Sequence, residues 1–96
     1  MDKIDESMIL LKSLNNAEEE YKKYKFQLDL VKAEFSLNIN WDKVNENRIA
    51  HGKTKITNEA NRKYYLRLHF AEEDEKLLDL ELAYKFLLRE YEDVCI

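Results

Sequence analysis

Two apolar seams at coiled-coil spacing constrain this chain more than any other feature. Steps of four and three residues from Leu10 reach Leu14, Ala17, Tyr21, Tyr24, Leu28, Val31 and Phe35, all apolar or aromatic. Toward the other end the same rhythm visits Leu66, Phe70, Glu73, Leu77, Leu80, Tyr84, Leu87, Tyr91 and Val94, where Glu73 alone is polar. Positions three, four and seven apart stack along one face of a helix, so each seam is a strip that another helix must cover. Two such strips on one short chain predict two helices lying along each other as an antiparallel hairpin.

Composition agrees. The 96 residues suffice for one domain, residues 1–96. Gly52 is the single glycine and there is no proline, so helix should run nearly throughout an all-α chain. At 45 % apolar and 38 % charged residues the chain is too hydrophobic to stay unfolded, and its eleven aromatic residues are expected to fill the core.

The first helix is predicted over about residues 4–36, roughly 50 Å long, with Asp2 or Asp5 as its cap and Glu18–Lys22 and Glu19–Lys23 in the favourable i, i+4 order. Residues 37–57 form a connector. Within it Asn40 can cap, Asp42 suits a first turn and Gly52 can stop a short helix over about residues 41–51. Thr57 or Asn58 then opens the last helix, about residues 58–94, with Glu59 in its first turn.

Each long helix carries a second stripe. Phe26, Leu30, Ala33 and Leu37 each lie two residues from a seam position, which is about 200° around the helix. Tyr64, Leu68, Ala71, Leu78 and Leu82 do the same on the last helix, with Glu75 interrupting. The connector helix is expected to fold back so that Trp41, Val44 and Ile49 cover one stripe, and it cannot cover both. The alternative for Trp41 is an anchor in a binding loop. A two-helix core is thin, so the surplus stripes imply a symmetric dimer of hairpins closing a four-helix bundle, with a monomeric three-helix fold as the other solution.

Charge is unevenly spread. Residues 1–41 hold eight acids and six bases, residues 42–67 three acids and seven bases, and residues 68–96 nine acids and three bases. The basic middle consists of Lys43, Arg48, Lys53, Lys55, Arg62, Lys63 and Arg67, with Tyr64 and Tyr65 interleaved. Cations among aromatics can hold a nucleic-acid backbone and stack on bases, although the acidic ends oppose it. Glu72-Glu73-Asp74-Glu75 spreads around the whole helix and reads as a solvated surface. Glu73 is different because it falls on the seam, where a lone acid sets register by meeting a cation. Lys25 and Lys32 are the expected partners. Trp41, Tyr64, Tyr65, Glu72, Asp74 and Glu75 are the candidate residues for contact with a protein partner.

No catalytic, cofactor or metal motif is present. His51 has no Cys, Asp or Glu four residues away, and His69 has Glu73 at that spacing but no second His or Cys to complete a ligand set, so no enzyme, cofactor or metal site is expected. Cys95 is the only cysteine, which fits a reducing compartment. Met8-Ile9-Leu10-Leu11 is too short for a signal or membrane segment, so a cytoplasmic, membrane-free protein is expected.

The stretch from Phe35 through Asn40-Trp41-Asp42-Lys43, followed by Lys55-Ile56-Thr57-Asn58-Glu59-Ala60-Asn61-Arg62-Lys63-Tyr64-Tyr65, resembles small phage and prophage proteins of Gram-positive bacteria. In those proteins a Glu/Lys-rich helix leads to an Asn/Asp-aromatic-Lys stretch, and a Thr-Asn-Glu start opens a second long helix. The likeness covers most of the chain in architecture and about twenty residues in motif. It implies a phage origin, a setting in the host cytoplasm and a helical hairpin. It also implies a non-enzymatic protein that binds host or phage machinery, including as an inhibitor of host defence of the anti-CRISPR kind, and it transfers no functional residue. A nucleic-acid-associated factor using residues 43–67 is the alternative.

Overall fold

The computed structural model describes residues 3–95, and these form an all-α chain with no strand among them. Its helices are α1 (Lys3–Asn38), α2 (Trp41–Ala50), α3 (Glu59–His69) and α4 (Ala71–Cys95). Asp2, one of the caps expected for α1, lies outside the described residues, and Asp5 sits in the first turn.

Helices α1 and α4 lie along each other, and aromatic pairs report how. Phe35 meets Phe70 edge-on with ring centroids 5.4 Å apart, and Tyr21 stacks on Tyr84 at 6.0 Å. Tyr21 stands two heptads before Phe35 and Tyr84 two heptads after Phe70. The helices are therefore antiparallel and keep one register between these contacts. Leu14, Leu28 and Phe70 are buried on this seam, and the other seam residues are half-buried except Val31. The register sets Val31 opposite Glu73. A half-buried carboxylate keeps water at that level, so Val31 stays exposed.

The expected ion pair at Glu73 is corrected by this geometry. Lys32 bridges to Asp74 instead, and no ion pair joins Glu73 to Lys25 or Lys32 among the described residues. Lys32 follows the seam residue Val31, and Asp74 follows Glu73. In an antiparallel pair those two positions fall on the same flank, whereas Glu73 points into the seam. Lys22 and Lys85 follow the two stacked tyrosines and pair within their own helices. Each is held above the usual lysine value of 10.5 by a hydrogen bond to the acid four residues earlier, Glu18 or Glu81, and then by that acid's charge. Their preference for the folded chain is complete below 10.5 and fades as pH rises through the raised values.

The last helix is not continuous. Phe70, with φ −102° and ψ 17°, separates α3 from α4, although neither glycine nor proline is present there. The break is confined to one residue, since Phe70 N–H still donates to Leu66 O at 3.1 Å and Asp74 N–H to Phe70 O at 2.9 Å. Its position follows from the register: α1 ends at Asn38, three residues past Phe35, so α3 has almost no α1 beside it. It turns instead toward α2.

Helix α2 begins as expected, with the Asn40 side chain accepting from Lys43 N–H at 3.2 Å. It ends in a Schellman turn in which Lys53 N–H reaches Arg48 O (2.8 Å) and Gly52 N–H reaches Ile49 O (3.0 Å). Gly52 takes φ +74°, which a side chain would oppose. Asn58, not Thr57, caps α3 by accepting from Asn61 N–H at 2.8 Å. The expectation that α2 covers a second stripe is overturned. Trp41 packs edge-on against Tyr65 at 5.5 Å, Val44 is half-buried, and Ile49 remains exposed. Only Ile39 and Asn40 separate α1 from α2, and a clamp holds α2 to the chain entering α3. In that clamp Asn45 donates to Ile56 O at 3.0 Å and accepts from Ile56 N–H at 2.8 Å, and Ile56 is buried.

The outer stripes stay bare. Phe26 (65 % exposed), Leu30 (55 %) and Leu37 (86 %) face away from α4, while Leu78 (51 %), Leu82 (55 %) and Phe86 (63 %) wind around to the far side of α4. The molecule is a rod of 65 × 21 × 19 Å with a radius of gyration of 20.3 Å, against about 12.5 Å for a compact domain of this length.

Ile56→Ala should destabilise the chain by about 2 kcal/mol or more, and Asn45→Ala by about 1–3 kcal/mol, both measured by urea unfolding. An Ile56→Ala midpoint equal to the wild type would show that the loop is not part of the core.

Candidate functional site

A basic concave face forms where α2, the turn after it and α3 meet. Lys43, Asn47 and His51 repeat every fourth residue along α2, and Arg48 stands beside them. With Val44, Lys53 and Tyr65 they line an open concavity of about 520 Å³. A smaller hollow of about 160 Å³ adjoins it, sharing Arg48 and Tyr65 and adding Lys55, Tyr64 and Leu68 to its walls. Among the described residues no carboxylate lines either one. Asp42 and Glu46 line a separate hollow with Asn45, Ile49 and Lys55. On α2 itself Lys43 and Arg48 thus lie apart from the two acids, and Lys55 borders both sides.

Backbone contacts order this face. Arg48 Nε donates to Thr54 O at 2.8 Å, which fixes the plane of the guanidinium. His51 Nδ1 lies 2.8 Å from Asn47 O. A carbonyl only accepts, so Nδ1 carries the hydrogen and Nε2 is left toward solvent.

The seven bases of the middle segment do not act together. Lys43, Arg48, Lys53 and Lys55 share the concave face. Arg62 lies over the Trp41 ring at 5.2 Å. Lys63 pairs with Glu59 at 3.7 Å, both exposed, a contact of little energetic value. Lys63 and Arg67 line a separate groove of about 250 Å³ with Lys32, Phe70 and Asp74.

The candidate partner-binding residues are likewise dispersed. Trp41 and Tyr65 are half-buried against each other, while Tyr64 is exposed. Asp74 is engaged by Lys32, and Glu72 and Glu75 face solvent. His69 stacks flat on Phe35 at 4.3 Å and lies 6.4 Å from Tyr65, which joins it to an aromatic cluster. Among the described residues no three His, Cys, Asp or Glu side chains gather as they would around a metal ion.

Two features escaped the sequence reading. Phe86 extends the outer stripe four residues beyond Leu82, and the i+4 rhythm alone could have included it. Ile56 is a lone apolar residue in a polar loop, and that isolation was its only signal.

Comparison with protein families, curated proteins and solved structures returns no match. Among the described residues no helix is long and apolar enough to cross a membrane.

The wall shared by both hollows can be probed optically. Tyr65→Ala should open Trp41 to solvent, giving a red-shifted emission and stronger iodide quenching, whereas Tyr64→Ala should leave both unchanged. Equal quenching of wild type and Tyr65→Ala would mean that Trp41 is already solvated.

Proposed function

We propose that this chain is a non-enzymatic interaction module that pairs with a second copy through its outer apolar stripes and, so assembled, binds a host or phage protein. The observation that carries the reading is the bare stripe on each long helix, Phe26 with Leu30 on α1 and Leu78 with Leu82 and Phe86 on α4. Contiguous exposed apolar surface of this kind marks association sites. The accessible surface supports the same reading. It measures 7820 Å², whereas a compact monomer of this mass exposes about 5,800 Å². A second hairpin seated on one such face supplies apolar burial that a two-helix core lacks.

The resemblance to small phage proteins supports a cytoplasmic setting in a host cell and a role against host machinery, a defence system among the candidates. The acids Glu72 and Glu75, exposed on α4, are available to a basic partner. A second reading, a nucleic-acid-associated factor, is favoured by one specific observation, the carboxylate-free basic face between α2 and α3.

Light scattering across a concentration series tests the assembly. A dimer is expected for the wild type, and the Phe26→Lys, Leu82→Lys double variant should run as a folded monomer because each lysine places a charge where burial is required. A wild type that stays monomeric at every concentration and retains no protein from host lysate would overturn the reading.

A further inference from the structure

We infer that the concave face of α2, the Gly52 turn and α3 is a seat for single-stranded nucleic acid, with Lys43, Arg48, Lys53 and Lys55 on the phosphates and Tyr64 under a base. The inference rests on the second reading above and gives it a place and a ligand class.

Four observations lead to it. First, the four cations border two adjoining hollows that no acid among the described residues lines, with Lys55 at the edge where it also borders the hollow of Asp42 and Glu46. Among the described residues none of the four takes part in an ion pair, whereas Lys22, Lys32, Lys63 and Lys85 all do. Unpaired cations gathered around one concavity raise the local positive potential there, while Asp42 and Glu46 border a different hollow. Second, Arg48 is pre-oriented. Its Nε is committed to Thr54 O, and its four remaining N–H donors form the planar fork that suits a phosphate oxygen pair. Third, the Schellman turn at Gly52 fixes where the backbone of Lys53 stands relative to Arg48, so the spacing of the cations is built into the fold.

The fourth observation decides between single and double strands. Tyr64 is 60 % exposed on the wall of the smaller hollow, beside Leu68. An exposed ring set among cations is the arrangement that stacks an unpaired base, and every base offers a face for it. A duplex keeps its bases stacked on each other and would leave Tyr64 without a role. Tyr65 and Trp41 brace each other and stiffen the platform from behind.

The test is fluorescence anisotropy of a labelled twelve-residue oligothymidylate, and of a labelled DNA hairpin duplex, with the full chain at several salt concentrations. Four phosphate contacts to a single strand predict a slope of log K on log salt near −2.8, about a 50-fold loss of affinity between 50 and 200 mM salt. Lys43→Glu and Lys53→Glu should each weaken binding and flatten the slope by roughly 0.7. Tyr64→Ala should lose about tenfold, with Tyr64→Phe restoring it. Circular dichroism confirms that each variant is folded, as expected for exposed side chains. Salt-dependent binding that ignores all three positions would overturn the seat and leave the nucleic-acid reading standing. Duplex binding as tight as single-strand binding, and indifferent to Tyr64, would overturn the single-strand assignment. No binding of either probe at 50 mM salt would overturn both the seat and the reading beneath it.

Discussion

The edge-on contact of Phe35 with Phe70, repeated two heptads away by Tyr21 on Tyr84, is the constraint on which the other features hang. It fixes the antiparallel register of α1 and α4. Once that register is set, Val31 must face Glu73, and Lys32 must reach Asp74 on the flank. The same register decides where α1 stops relative to the last helical segment. Phe35 is three residues from the end of α1, so the chain before Phe70 has only the last turns of α1 beside it and bends away. His69 stacks on Phe35, Tyr65 lies near His69, and Trp41 packs on Tyr65. That line of rings carries the register outward from the hairpin to α2 and thereby positions the basic face.

Sequence pattern revealed the elements better than their pairing. The seams, the Asn40 cap and the stop at Gly52 were legible because each depends on a local rule: heptad spacing, a side-chain acceptor for an orphan N–H, a glycine at positive φ. The break at Phe70 was not legible, because nothing local causes it. The propensity of Leu-His-Phe-Ala-Glu is helical, and only the length of α1 at its far end explains the turn. Asn45 likewise reads as an ordinary exposed helix residue. Its pairing with Ile56 exists because the Schellman turn returns the chain alongside α2.

The candidate site was half visible for the same reason. The spacing of Lys43, Asn47 and His51 is a helical repeat that sequence alone displays. Which other cations join it depends on three-dimensional closure. Lys53 and Lys55 reach the face through the turn, whereas Arg62 is drawn to the Trp41 ring and Arg67 to a groove shared with α1. A count of bases along the segment could not make that division. Nor could it show that Asp42 and Glu46 lie away from the concave side.

The two surfaces sit on different parts of the rod, and this separation governs what the molecule can do. The bare stripes run along α1 and α4, while the basic face lies past the break, on α2 and α3. A second copy seated on the stripes would add the apolar burial that a two-helix core lacks without covering Lys43, Arg48 or Lys53. If the copies run antiparallel, each basic face comes beside the acid-rich far end of α4 of the other copy, where Glu90, Glu92 and Asp93 stand. Opposite charges then meet at both ends of the assembly, which favours that orientation over the parallel one, where like charges would adjoin. Apolar burial would supply the strength of such a pair and the charge asymmetry its direction, two roles that the chain assigns to different residues.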